Sequence, residues 1–408
     1  MVKWSSARGK VEMSKGKQIN EIYVTRALAI LGVIMVHSTS FTTVELAKTS
    51  ALYPLYVFLN RFFAFGTATF IFLSAFVLFY SYYNRRFDRE LIKNFYLNRL
   101  KYVIFPYFIF SVLYFYIVAS PFVQYGSISE VMRDFVVKLA TGKAYDHLYF
   151  VFISIQFYLL FPLLLWVFKK NKAFVKHGIW FGFLLQWTFV FLNSYYFRIT
   201  IGTGSIAFSY MSYYFLGAFL GIYYEQFMAW WSAWKMRLLV SFWLVFGGLY
   251  VWIYYAMWAQ NIYYDAKWYT FFWNFYTYAT ALVLFLFSFW IYKRLPASFV
   301  NRLIQLGVYS FGIYIFHPLV LRFYRRIDFS GIPWVYHASV LGGFACALLI
   351  SWFVVWLASR TSSLSWIVFG RFPKQIPRRN DTDHKDRVTD RLKKPAVVSG
   401  AKTEDPKL

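Results

Sequence analysis

Apolar runs of roughly 20 residues recur along this chain, each parted from the next by a short polar or basic connection, and a run of that length is what one membrane crossing needs. The pattern predicts ten spanning helices: Ile22–Phe41, Tyr56–Tyr82, Leu100–Ser120, Leu148–Phe168, Ile179–Phe197, Ile206–Tyr224, Leu238–Ala259, Tyr269–Ile291, Ile304–Leu321 and Val335–Ala358. The fifth and sixth are the least separable. The expected fold class is all-α, a polytopic helical bundle in a membrane. Residues 1–19 form a basic head and 20–360 the membrane domain. Residues 361–408 lack apolar periodicity and form a basic, disordered tail drawn to anionic headgroups.

The polar connections set the orientation. Lys3, Arg8, Lys10, Lys15 and Lys17 precede the first run, Arg85, Arg86, Arg89 and Lys93 follow the second, and Lys169, Lys170, Lys172 and Lys176 follow the fourth. Lys293, Arg294 and Arg302 follow the eighth. The alternate connections are poorer in base, so the basic side is cytoplasmic, and an even number of spans keeps both termini there. Arg322, Arg325 and Arg326 disagree, since they fall outside. That excess marks either an external polyanionic ligand or a misplaced span.

Composition narrows the class further. The chain has 408 residues, 60% hydrophobic and 25% aromatic, with a formal net charge of +26. A soluble chain with that excess of base would bind nucleic acid. Here the cations lie between apolar runs and in the tail, which excludes that partner in favour of the bilayer. Cys346 is the single cysteine, so no internal disulfide forms. No cleavable signal peptide is expected, and no internal repeat of the kind many transporters carry is visible.

Candidate chemistry starts in the first run. Arg26 and His37 are 11 residues apart, three helical turns plus roughly 20°, so they share a face about 16 Å apart along the axis. Ionisable groups inside a membrane helix are costly and usually mark a reaction site or substrate path. No acid lies well inside any predicted span, so the partner of Arg26 is expected to be a phosphate or carboxylate from elsewhere. The plainer reading of Arg26 is a side chain snorkelling to the headgroups. For His37 the alternatives are a general base and a buried ring bonded to a neighbouring helix. His147 opens the fourth run at the outer surface, where it either joins His37 or stands in an aromatic belt. His317-Pro318 lies inside the ninth run and reads first as a structural kink. His177 and His337 read as interfacial. Gly202-Thr-Gly204 lacks the Lys of a phosphate-binding loop, and Gly217 and Gly221 have the spacing of close helix packing. No metal cluster or nucleophilic serine stands out.

Tyr23-Val-Thr-Arg26 through His37, with ten residues between Arg and His, resembles the Arg-x10-His signature of the acyltransferase-3 family, bacterial membrane enzymes that acylate extracytoplasmic glycans. Phe65-Gly66 through Ser74-Ala75-Phe76 is similar to that family's second-helix motif, with Ala75 where Gly is usual. Tyr96-Leu-Asn-Arg99-Leu-Lys101-Tyr102 is similar to its basic stretch, although the second Arg is replaced and Lys101 is the substitute. Tyr213 through Gly221 and Ser310-Phe-Gly312-Ile-Tyr314-Ile-Phe-His317-Pro318 complete five segments in register over residues 20–360. The wording is similar to a subgroup assigned either O-succinylation or export of poly-β-1,6-N-acetylglucosamine.

The resemblance implies an enzyme of the bacterial cytoplasmic membrane that moves an acetyl or succinyl group from cytoplasmic acyl-CoA, a co-substrate, to a glycan hydroxyl outside. No resident cofactor or metal is implied. His37 and Arg26 would be catalytic, and Arg99, Lys101, His147, Ser74, Tyr314 and His317 would bind substrate. The other functional readings are a glycan exporter and a sensor or scaffold docked through its tail.

Overall fold

The computed structural model describes residues 18–119, 126–199, 202–327, 329, 332–361 and 363–379; residues 1–17 of the basic head and the tail beyond residue 379 lie outside the described residues. Every regular element among the described residues is helical. We label α1 (Glu21–Thr39), α2 (Tyr53–Phe62), α3 (Gly66–Tyr82), α4 (Arg89–Arg99), α5 (Phe105–Ala119), α6 (Ile128–Thr141), α7 (Tyr149–Lys170), α8 (Gly178–Leu192), α9 (Met211–Ile222), α10 (Ala233–Gln260), α11 (Ala266–Arg294), α12 (Ala297–Tyr324), α13 (Pro333–Thr361) and α14 (Ser365–Phe369). Among the described residues eight helical stretches are long and apolar enough to cross a membrane. The protein is a multi-pass helical membrane protein.

The ten apolar runs correspond to these elements with three differences. The second run is two helices, because the chain turns at Phe63–Phe65 between α2 and α3. Glycines make that turn fit: a side chain on Gly66 would lie 2.2 Å from Val33, and one on Gly32 would lie 2.8 Å from the Phe65 ring. The third run starts earlier than its apolar core, since helix begins at Arg89 and passes through a π-type turn at Leu100–Ile104 before α5. Such bulges rotate the side chains on either side relative to one another. The fifth and sixth runs fall below a full crossing: α8 ends in a π-type turn over Asn193–Phe197, and α9 has 12 residues.

The core is a dense pairing of α9 with α3 and of α1 with α12. Gly217 and Gly221 lie against the α3 backbone, where an added Cβ would sit 2.2 Å from the Phe72 carbonyl and 2.5 Å from the Phe76 carbonyl. Small residues at this spacing allow main chains to approach, the only way van der Waals contact can drive association in lipid. Gly307 does the same for α12, since a Cβ there would overlap the Tyr23 carbonyl of α1 at 1.8 Å. This contact fixes the height of Arg26 relative to Ser310. A buried polar network of Gln186, Ser212, Tyr213, Asn274 and Thr277 ties α8, α9 and α11 together.

Two segments outside the apolar runs are ordered. Helix α6 is capped by Ser127, ends on Gly142 at φ 72°, and exposes Ile128, Met132, Val136 and Val137 along one side. An amphipathic helix with an unpaired apolar stripe lies in the membrane interface. Its left-handed C-terminal glycine turns the chain toward His147. At the opposite end, residues 363–379 fold back under the bundle, within the stretch assigned to the tail. Phe369 is buried against Phe110 and Phe316. Arg379 donates to the carbonyls of Tyr292 and Leu295 at the end of α11, while Asn301 pairs with its backbone. A guanidinium on the last carbonyls of a helix satisfies groups that have no partner within it.

Candidate active site

Arg26 and His37 face the same side of α1, and each opens on its own cavity. The inner cavity, of about 290 Å³, is lined by Arg26, Ser74, Arg99, Ser154, Tyr158, Ser310 and Tyr314, with Phe369 and Arg371 at its rim. Arg26 Nε donates to Ser310 Oγ at 3.1 Å, and Ser310 Oγ donates to the Gly307 carbonyl at 2.8 Å. The contact aims the guanidinium without neutralising it. Arg99 lies over the rings of Phe95 and Tyr158, at 5.1 and 4.7 Å, with its Nε buried and unbonded. Rings lower the cost of a partly desolvated cation by about 1–2 kcal/mol, less than a counter-ion would. No acid occurs among the described lining residues. Among the described residues the cavity therefore presents cations with no carboxylate to pair them.

Lys101 is exposed in the π-type turn and is not among the described residues lining this cavity, whereas its neighbours Tyr102 and Val103 are. Arg371 from the returning C-terminal segment occupies the rim instead. The sequence contains a signal for it in the short apolar run Ser365–Phe369, which buries Phe369 and fixes the residues that follow.

Toward the other end, Phe70, Phe150 and Tyr314 form an aromatic layer, with ring centroids 5.8, 5.2 and 6.5 Å apart. Beyond it three histidines converge from α1, the start of α7, and α12. The His37 and His317 rings lie 5.1 Å apart, and those of His147 and His317 lie 5.9 Å apart. His147 and His317 are almost wholly buried, His37 partly so. Tyr314 joins layer to cluster by donating its hydroxyl to the His147 carbonyl. His147 is thus a buried member of this cluster and not a residue of the aromatic belt.

Tautomers follow from the partners. His147 Nε2 faces the Ile315 carbonyl at 3.3 Å, and His317 Nδ1 faces the Ile313 carbonyl at 3.1 Å. A carbonyl only accepts, so both nitrogens carry hydrogen. The remaining His147 Nδ1 and His317 Nε2 are buried, unbonded lone pairs in the neutral rings. Neither His147 nor Tyr314 has a free donor for a developing oxyanion. No group of three or more metal-ligating residues is placed to hold a metal ion among the described residues.

His37 also faces an outer cavity of about 570 Å³, whose lining includes Ser40, Tyr145, Pro318 and Arg325. Arg325 donates to the His37 carbonyl and lies 4.0 Å over the Phe41 ring. The structure thus brings Arg26, Arg99, Ser74 and Tyr314 to one cavity and His37, His147 and His317 to one cluster. His177 lies at the far end of α8, and His337 bonds Tyr56 at 3.0 Å; neither lines these cavities among the described residues.

Residues 19–356 match a family described as an acyltransferase domain. The chain is 23% identical over 317 residues to the probable poly-beta-1,6-N-acetyl-D-glucosamine export protein of Staphylococcus aureus strains MSSA476, N315 and MRSA252, a match covering 74% of this chain and 82% of each relative. No solved structure matches the chain significantly.

Proposed function

The chain belongs to the acyltransferase-3 family, and on that premise we propose that it moves an acetyl or succinyl group from cytoplasmic acyl-CoA to a hydroxyl of an extracytoplasmic polysaccharide in the bacterial cytoplasmic membrane. The observation that carries this reading is the division of one helix face into a cationic inner cavity at Arg26 and a histidine cluster at His37, about 16 Å apart along α1.

In this scheme Arg26, Arg99 and Arg371 bind the phosphates of coenzyme A, since guanidinium groups match phosphate oxygens in pairs. The thin pantetheine arm carries the thioester past Ser74 and the Tyr314 layer toward His37. His37 takes the proton of a sugar hydroxyl, the oxygen attacks the thioester carbon, and the carbon–sulfur bond breaks. The departing thiolate takes the proton back from His37, so no net proton is consumed and no acyl-enzyme is needed. His317 stands edge-on to His37 with ring centroids 5.1 Å apart and its unbonded Nε2 lone pair buried, so in this scheme it is placed to accept the His37 N–H when substrate is bound and leave the other nitrogen free as base. His147 and Tyr314 hold that arrangement. Lys101, exposed on the cytoplasmic side, acts on the donor only as part of the surrounding positive field.

Export is the second reading, favoured by the name that the Staphylococcus aureus relatives carry. It needs a conduit that passes a whole sugar chain, and the Phe70–Phe150–Tyr314 rings stand in that path, where a pantetheine arm is the thinner cargo. The test is the O-acyl ester content of surface and secreted polysaccharides in wild type, a null strain, and that strain carrying either wild type or His37→Ala. Ester lost in the null, restored by wild type and not by the variant supports transfer. Unchanged ester with polymer retained inside the cell supports export.

A further inference from the structure

We propose that the outer mouth over His37 binds an anionic glycan, one whose sugars or linkages carry carboxylate or phosphate. It deepens the transferase reading by naming the acceptor class, and rests on that reading only for the word acceptor.

The described residues lining this mouth include five cations, Lys138, Lys143, Arg322, Arg325 and Arg326, and one acid, Asp146. Lys138 is bridged to Asp134 at 2.7 Å. Of the other four, Lys143 lies in the loop entering α7, Arg322 in the last turn of α12, and Arg325 and Arg326 in the loop leaving it, and no carboxylate is bonded to them among the described residues. Arg322 donates to the Ile117 carbonyl at 3.3 Å and keeps its Nε buried and unbonded. Arg325 and Arg326 lie over Phe41 and Phe323.

Two physical arguments give this crowding meaning. Cations close together repel one another, and a concave surface with apolar walls focuses their field outward to attract an anion. They also stand on the face where short connections are ordinarily poor in Lys and Arg, so the rule that orients the other loops does not account for them. Membrane headgroups do not account for them either, because these side chains line a cavity that ends on His37. An uncharged sugar would leave the cations with only carbonyl and aromatic partners, whereas a carboxylate or phosphate would neutralise them beside the base. The depth of the site favours a flexible polymer segment or terminus over a flat surface.

The test uses right-side-out membrane vesicles holding the full-length protein, which present only this face, with protein-free vesicles as the blank. The probes are labelled hyaluronan hexasaccharide, carrying carboxylates, and chitin hexasaccharide, carrying none. Hyaluronan should bind, weakening as salt rises, and chitin should not compete. Lys143→Ala with Arg326→Ala, both exposed, should weaken binding about a hundredfold, at roughly tenfold for each lost charged contact. Lys172→Ala with Lys176→Ala on the opposite face should leave it unchanged. Binding is read without acyl donor, so loss of binding and loss of acylation are scored separately. Equal binding of both probes, or no effect of the outer double variant, would overturn the proposal. Binding of succinate without hyaluronan would overturn it too, by assigning the cations to a dicarboxylic acyl group.

Discussion

The inner and outer cavities both gather cations, but they surround them differently. Inside, Arg26 is aimed by the neutral hydroxyl of Ser310 and Arg99 rests on aromatic rings, with no histidine or carboxylate among the described residues lining their cavity. Outside, the cations rim a cluster of three imidazoles, two with tautomers fixed by backbone carbonyls. The first arrangement can recognise charge and cannot move a proton. The second can do both. An aromatic layer lies between them, an arrangement that suits the proposed reaction, in which donor and acceptor approach from opposite faces.

Changing the proton chemistry should have the largest effect. His37→Ala is expected to lower transfer by about 10²–10⁴-fold while the protein remains folded and membrane-inserted, checked by ester release and size-exclusion elution. The same loss from Arg26→Ala, with no change in KM for acyl-CoA, would erase the distinction between the cavities. Arg26→Ala should instead lose about 2–3 kcal/mol from donor binding, seen as a raised KM for acyl-CoA at an unaltered KM for the glycan.

Packing comes next. Gly217→Val should destabilise the α9–α3 pair by about 1–3 kcal/mol, lowering the midpoint of detergent-solubilised unfolding and affecting both cavities together. Tyr314→Phe removes one hydrogen bond to the His147 carbonyl and is expected to cost about 1 kcal/mol, as a few-fold lower kcat with KM for acyl-CoA retained. Truncation sharpens the inner half: a chain ending at residue 379 should keep donor affinity, while one ending at residue 363 loses Arg371 and Phe369 and should bind donor more weakly.

Much of the inner–outer axis was legible in the sequence because a single helix carries both ends of it. Arg26 and His37 needed only helical geometry, and the apolar runs needed only the length of a crossing. The partners of His37 were less legible. His317 sits beside Pro318, where local reasoning points to a kink, and His147 sits at a helix start, where it points to the interface. Their convergence depends on how α7 and α12 pack against α1, which no local pattern encodes. The break between α2 and α3 was hidden for a related reason: the run is uniformly apolar, and the turn exists because Gly32 and Gly66 admit neighbouring side chains. Arg371 was obscured by position, in a basic stretch after the last span, where only the short apolar run ending at Phe369 hints at order. Helix α6 leaves a weaker trace, because its apolar stripe is too short to cross a membrane, although Ile128, Met132 and Val136 keep helical spacing.

The central claim, that donor and acceptor meet at His37 from opposite faces, is tested most directly in sealed proteoliposomes of known orientation. Radiolabelled acetyl-CoA or succinyl-CoA is enclosed on the Arg26 side or added on the His37 side, with a polysaccharide acceptor always on the His37 side. The account predicts labelled ester only when donor and acceptor are on opposite faces. Ester formed equally well with the donor added on the His37 side would contradict it, and would leave Arg26 and its cavity without a part in donor binding.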